Sequence, residues 1–173
     1  MVTAYGYLPH GWKKGEKNMQ EKKLVNLIEI AIEREEAAFA FYMDLHERIE
    51  DKETKDVLEF LAKEEKKHKE FLVNYRDGHF SPDKLQLNEV VDYRIAEHLE
   101  VPDLDKDMES KDVYLVAAHR ELQAYNFYKA LADLHPVGEA KEMLLKMANQ
   151  ELKHKEKVEY LYANTAFPQT AGG

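Results

Sequence analysis

The chain contains no cysteine, so disulfides, iron–sulfur clusters and thiolate zinc sites are excluded from its 173 residues. Glycine and proline are scarce, with 7 and 5 residues. Together with long stretches of Glu, Lys, Leu and Ala, that scarcity favours an all-helical protein. There is no run of 18 apolar residues and no basic start leading into an apolar stretch. Neither a membrane span nor a signal peptide is expected, and the cytoplasm follows by elimination. Positive charge is also short: 25 Lys and Arg face 34 Asp and Glu, giving a formal charge of −9 that argues against a nucleic-acid partner. The length suits one domain with a sizeable core.

What the chain does contain is a triplet of candidate metal ligands that occurs twice. Glu35, Glu65 and His68 recur as Glu121, Glu151 and His154, each displaced by 86 residues (121 − 35, 151 − 65 and 154 − 68). Laid over residues 120 to 156 without a gap, residues 34 to 70 give 15 identities in 37 positions. Unrelated segments of ordinary composition would give about two or three. The identities include Arg34/Arg120, Ala38/Ala124, Phe41/Phe127, Tyr42/Tyr128 and Ala62/Ala148. A duplicated helical hairpin is the simplest explanation, its two copies packing about a pseudo-twofold axis that runs between the ligand sets.

Hydrophobic periodicity predicts four long helices. Over residues 21 to 50 a seam stepping by three and four runs through Leu24, Ile28, Ala31, Glu35, Ala38, Tyr42, Leu45 and Ile49. Over 53 to 75 it runs through Leu58, Leu61, Glu65, His68, Leu72 and Tyr75. Residues 111 to 133 repeat the first pattern and 138 to 162 the second. Glu50, Asp51 and Lys52 break the first pair of helices, and His135, Pro136, Val137 and Gly138 break the second. The link over about 76 to 110 is long enough to retrace a helix of about 30 Å, which makes the second and third helices parallel. Within it, Leu87, Val90, Val91, Ile95 and Leu99 predict a short amphipathic helix around Glu89, Asp92 and Glu97. The expected organisation is an arm at 1–20, a bundle at 21–163 and a tail at 164–173.

Energetics favour a metal at the duplicated triplet. Four ionised carboxylates facing one another in a dry core cost many kcal/mol, and two divalent cations would neutralise them. In E-x-x-H the two residues share one helix face, so the Glu can bridge both ions while the His caps one. Oxygen and nitrogen donors suit iron or manganese, and zinc also fits. Ala38, Ala124, Leu61 and Met147 are expected to form an apolar shell that limits solvent access. Tyr42 and Tyr128 lie two turns beyond their seam glutamates, where aromatic core packing is the expected role and a redox or hydrogen-bonding part at the site the alternative. Lys66, Lys67, Lys69, Lys153, Lys155 and Lys157 read as solvated charge runs.

The strings Glu35-x-x-Ala38-x-x-Phe41-Tyr42 and Glu121-x-x-Ala124-x-x-Phe127-Tyr128, each followed by E-x-x-H, resemble the rubrerythrin branch of the ferritin-like di-iron carboxylate proteins. The resemblance covers about residues 21 to 163. It implies an all-α, ferritin-like four-helix bundle with one long crossover between helices two and three, binding two iron ions. By the same resemblance Glu35 with His68 holds one iron, Glu121 with His154 holds the other, and Glu65 and Glu151 bridge them. The implied activity is oxidoreduction, reacting ferrous iron with H₂O₂ or O₂ in oxidative-stress defence or iron handling. A metal carrier or sensor without turnover is the alternative. Two departures bear on this. Full-length rubrerythrins carry a rubredoxin-like domain with four cysteines, so a separate electron donor is expected here. Peroxidase-type members place a further Glu where this chain has Ala124. A homodimer is expected from the repeated hairpin and long link, which also allow halves to be exchanged between chains.

Overall fold

The computed structural model describes residues 14–79, 85, 87–104, 108–135 and 137–168, with side chains from residue 22 onward. Four helices account for most of them: α1 (Lys14–Arg48), α2 (Lys52–Arg76), α3 (Ser110–Leu134) and α4 (Glu139–Ala166). No strand occurs among the described residues. None of these helices is long and apolar enough to cross a membrane.

Cross-helix contacts fix the topology. Tyr42 of α1 reaches Glu121 of α3 while Glu35 reaches Tyr128, so numbering rises along one helix as it falls along the other and the pair is antiparallel. Thr54 Oγ1 lies 3.2 Å from the Tyr114 hydroxyl, joining the starts of α2 and α3, which therefore run parallel. The long crossover expected from the sequence is the only way to connect them. Each hairpin is tight by comparison. Asp51 caps α2, accepting from Thr54 N at 2.8 Å and Thr54 Oγ1 at 2.7 Å; these two bonds hold its carboxyl below the usual range. Gly78, at φ 80°, ends α2 in the left-handed conformation that favours glycine.

The seams face inward and form two apolar clusters. One gathers Ile28, Ala31, Leu72, Tyr128, Leu144 and Met147; the other gathers Tyr42, Leu45, Leu58, Leu61, Ala117 and Val158. Each large side chain buried here contributes about 1.5–3 kcal/mol. Glu35, Glu65, His68, Glu121, Glu151 and His154 are all buried as well, on the same seams.

Four expectations need correction. Helix α1 begins at Lys14, so the arm at 1–20 gives up its last seven residues to the bundle, and residues 1–13 lie outside the described ones. Only Met19 is apolar over 14 to 20, which leaves periodicity silent, but the intervening Lys, Glu and Gln are good helix formers that extend an existing helix. At the other end, α4 continues to Ala166, into the segment read as a tail, and 169–173 lie outside the described residues.

The amphipathic helix expected over Leu87 to Leu99 is absent. Those residues form no helix, with one turn over Ala96 to His98 and Arg94 at φ 56°, and Leu87, Val91 and Leu99 are exposed. The segment is held instead by bonds to α4. Asn88 N donates to Asn149 Oδ1 at 2.8 Å, Asn149 Nδ2 donates to Asn88 O at 3.0 Å, and Ala96 N donates to Glu159 Oε1 at 2.9 Å.

Lys155 belongs to no solvated run. Its side chain is fully enclosed, with Nζ 2.6 Å from Asp92, 3.0 Å from Glu97 and 3.0 Å from Glu159. Burial alone would lower its pKa, but these three carboxylates raise it, so the lysine stays charged. The crossover is thus clamped to α4 by a buried ammonium.

Candidate metal centre

Each helix supplies its seam acid at the same level. Glu35 comes from α1, Glu65 and His68 from α2, Glu121 from α3, and Glu151 and His154 from α4. None of the six is more than 4% exposed. They form two overlapping groups, Glu35–Glu65–His68–Glu151 and Glu65–Glu121–Glu151–His154, in which one donor atom from each residue lies within 4.8 Å of all the others. Glu65 and Glu151 belong to both groups, because they occupy the two helices that carry E-x-x-H.

His68 Nδ1 is 3.0 Å from Glu151, 3.5 Å from Glu65 and 3.8 Å from Glu35. His154 Nδ1 is 3.5 Å from Glu121 and 3.8 Å from Glu151. The imidazoles stack with centroids 5.3 Å apart and planes 18° from parallel.

The tyrosines tie the halves together. Tyr42 donates to Glu121 and Tyr128 donates to Glu35, so each hydroxyl orients the acid of the opposite repeat. Burial first, then the neighbouring glutamates, push both phenols well above their ordinary pKa, which keeps the proton on oxygen. Packing and hydrogen bonding therefore coexist: each ring is also edge-on to the preceding phenylalanine, at 5.6 Å for Phe41 and 5.3 Å for Phe127.

Without metal, protons balance the charge. Burial raises Glu121 to about 7 and drives Glu65 well above the carboxylate range, with the Glu151 and Glu121 charges adding to the shift on Glu65. Burial would also raise Glu151, but the adjacent His68 and His154 hold it far below its ordinary value. The imidazoles answer in kind. Burial would lower both, yet the surrounding carboxylates lift His154 to about 9 and His68 well above 6.5.

Metal ions fit this donor set. Glu121 Oε2, both Glu151 oxygens, His68 Nδ1 and His154 Nδ1 are buried without a hydrogen-bond partner, and all belong to the two groups. Buried polar atoms without a hydrogen-bond partner are rare unless they face an ion or water. A further acidic group, Asp92–Glu97–Glu159, meets the same distance test, but there Lys155 Nζ already supplies the cation.

The family model for rubrerythrin matches residues 3–75 and 112–169, covering both repeats and all six acids and imidazoles. The chain belongs to the rubrerythrin family. No curated protein and no solved structure matches it. The rubrerythrin match skips 76–111, the crossover that supplies Asp92 and Glu97 to the lysine clamp.

Two features of this rubrerythrin lay beyond sequence reasoning. Ala38 and Ala124 do not seal the site: they line a cavity of about 200 Å³ between α1 and α3 that reaches Glu35, Glu65 and Glu121. Leu61 and Met147, by contrast, are fully buried as expected. Arg34 and Arg120 border the same cavity. Their identity across the repeat marked them, but nothing in the sequence said which ring each would stack on.

Proposed function

We propose that the protein is a non-haem di-iron oxidoreductase that reduces H₂O₂ or O₂ with electrons delivered by a donor outside these 173 residues. The observation that carries the reading is the pair of four-residue groups sharing Glu65 and Glu151 in a closed bundle core. Two iron ions, one held by Glu35 and His68 and the other by Glu121 and His154, would each supply one electron to a two-electron reduction. Written out, H₂O₂, two protons and two electrons give two waters.

The protein's own contribution is positional. Tyr42 and Tyr128 fix Glu121 and Glu35, so the donor set keeps its geometry as charge changes. Leu58, Leu61, Leu144 and Met147 exclude water around it, and the α1/α3 cavity of about 200 Å³ has room for a diatomic molecule or a peroxide. The same reading places the protein in the cytoplasm as a homodimer. Exposed Ile30 and Phe39 on α1 and Leu145 on α4 support a second copy, and light scattering tests it.

The test is anaerobic stopped-flow mixing of ferrous-loaded protein with H₂O₂ and, separately, with O₂. The expected result is growth of ferric absorption that saturates at one peroxide per two irons. Reversible iron uptake with no spectral response to either oxidant would overturn the oxidoreductase reading and leave a carrier or sensor.

A further inference from the structure

The antiparallel pair α1/α3 is built as a ladder whose ends mirror each other. The Arg34 guanidinium carbon sits 4.3 Å from the centroid of the Phe127 ring, and the Arg120 carbon sits 4.1 Å from that of Phe41. Beside these ends lie the Glu35–Tyr128 and Tyr42–Glu121 rungs, and Ala38 and Ala124 line the stretch between them. Because Arg34 and Phe41 lie seven residues apart on one helix, the two stacked pairs stand about 10 Å apart along the helix axis. Methyl groups in the middle leave the gap that becomes the cavity of about 200 Å³.

Stacking on a ring occupies the face of a guanidinium and leaves its in-plane N–H donors free. In a chain with 34 acidic residues, neither Arg34 nor Arg120 forms a salt bridge among the described residues. Arg120 Nε is buried with no partner. Two forked cations held at opposite ends of one small cavity, with donors unspent, match the chemistry of an oxyanion. Gln123 at the rim adds an amide.

We infer that the α1/α3 opening is a binding site for one small oxyanion, of carboxylate or phosphate type, held between Arg34 and Arg120 above the metal centre. The floor sets the condition for occupancy. Glu35, Glu65 and Glu121 repel an anion unless cations neutralise them, so the oxyanion binds the metal-loaded protein more tightly than the metal-free one. By linkage it tightens metal binding by the same factor. Once bound, it blocks this approach to the metals, so cellular oxyanion levels set how open the route is. The inference rests on metal occupancy and not on redox turnover.

Zinc-loaded protein tests it in a redox-silent state. Formate, acetate and phosphate are titrated separately into zinc-loaded and metal-free wild type by calorimetry, and the tighter ligand distinguishes a planar from a tetrahedral source. Expected is one saturable site per chain, at least tenfold tighter in the zinc-loaded form. Arg34→Gln and Arg120→Gln should each weaken it about tenfold or more, and Arg34→Lys should weaken it several-fold through loss of the fork. Helicity by circular dichroism should stay at the wild-type level in all three, because neither arginine holds the fold through a salt bridge. No saturable binding below about 50 mM would overturn the inference. So would binding that survives both glutamine substitutions, which would mean that the anion sits on zinc alone, or equal affinity with and without zinc. A failure of the peroxide reaction would leave each of these results unchanged.

Discussion

Replacing Lys155 by Met keeps most of the side-chain volume and removes one buried charge. Glu159 is then stranded: it is fully enclosed, and among the described residues Ala96 N is the only donor left to it. Removing one partner of a buried ion pair costs about 3–5 kcal/mol, because the remaining charge stays desolvated. Asp92 and Glu97, with side chains 33% and 29% exposed, turn back to water and add about 0–1 kcal/mol each. The expected loss is therefore about 3–7 kcal/mol, out of a typical total of about 5–15 kcal/mol. For a chain of this size that corresponds to a fall of about 6–28 °C in melting temperature.

The second variant isolates the cause. Adding Glu159→Gln to Lys155→Met removes the stranded charge and keeps an oxygen that can accept from Ala96 N, so at least half of the loss should return. Urea unfolding of metal-free protein gives both numbers, and hydrogen exchange should quicken over residues 88–97 in the single variant as the crossover loosens. A loss below about 1 kcal/mol for Lys155→Met, or a double variant no more stable than the single, would refute the reasoning.

Three further outcomes are expected. Tyr42→Phe and Tyr128→Phe each remove a donor to a buried acid, so each should cost about 1.5–3 kcal/mol and weaken metal binding about 10–100-fold, with similar values for the two as the pseudo-twofold requires; metal titration and urea unfolding check this. His68→Ala dismantles only the first group and should leave one metal per chain, whereas Glu65→Ala with Glu151→Ala should leave none, as elemental analysis would show. The pH response follows from raised values: Glu121 near 7 and His154 near 9 mean that the folded metal-free chain holds protons the unfolded chain releases at about 4.5 and 6.5. That stabilisation is complete below the unfolded values and is lost as pH rises through the folded ones, so melting temperature should fall from about pH 6 to about pH 10; a flat or rising profile would contradict it.

The four helices were readable because burial imposes a period on sequence, and their parallel middle pair because the link between them is long enough to retrace a helix. Leu58, Leu61, Leu72 and Tyr75 sit on one face for the same reason that they repeat at three and four. The six core acids and imidazoles were readable because their polarity violates that period twice, at equal spacing. Lys155 was missed because it carries the same signature as its solvated neighbours Lys153 and Lys157. What buries it is Asp92 and Glu97, more than fifty residues away, brought in by a crossover whose path local propensity does not set. Leu87, Val91 and Leu99 misled for a related reason: their spacing suits a helix, but the segment bonds instead to Asn149 and Glu159, which no local signal reveals.

The structure also changes what the metals are for. Four buried carboxylates alone would argue that the bundle cannot close without cations. Yet the directions of the shifts let protons offset part of that charge in the metal-free core: His68 and His154 favour their charged forms, Glu65 and Glu121 move toward neutral ones, and Glu151 lies between the imidazoles as an anion. Folding is then separable from metal binding, unlike in domains where the metal supplies the folding energy. Each incoming cation replaces protons already in place and meets donors that Tyr42 and Tyr128 have oriented beforehand. Metal affinity must therefore climb with pH over the range in which the metal-free fold weakens, because both follow from the same protons.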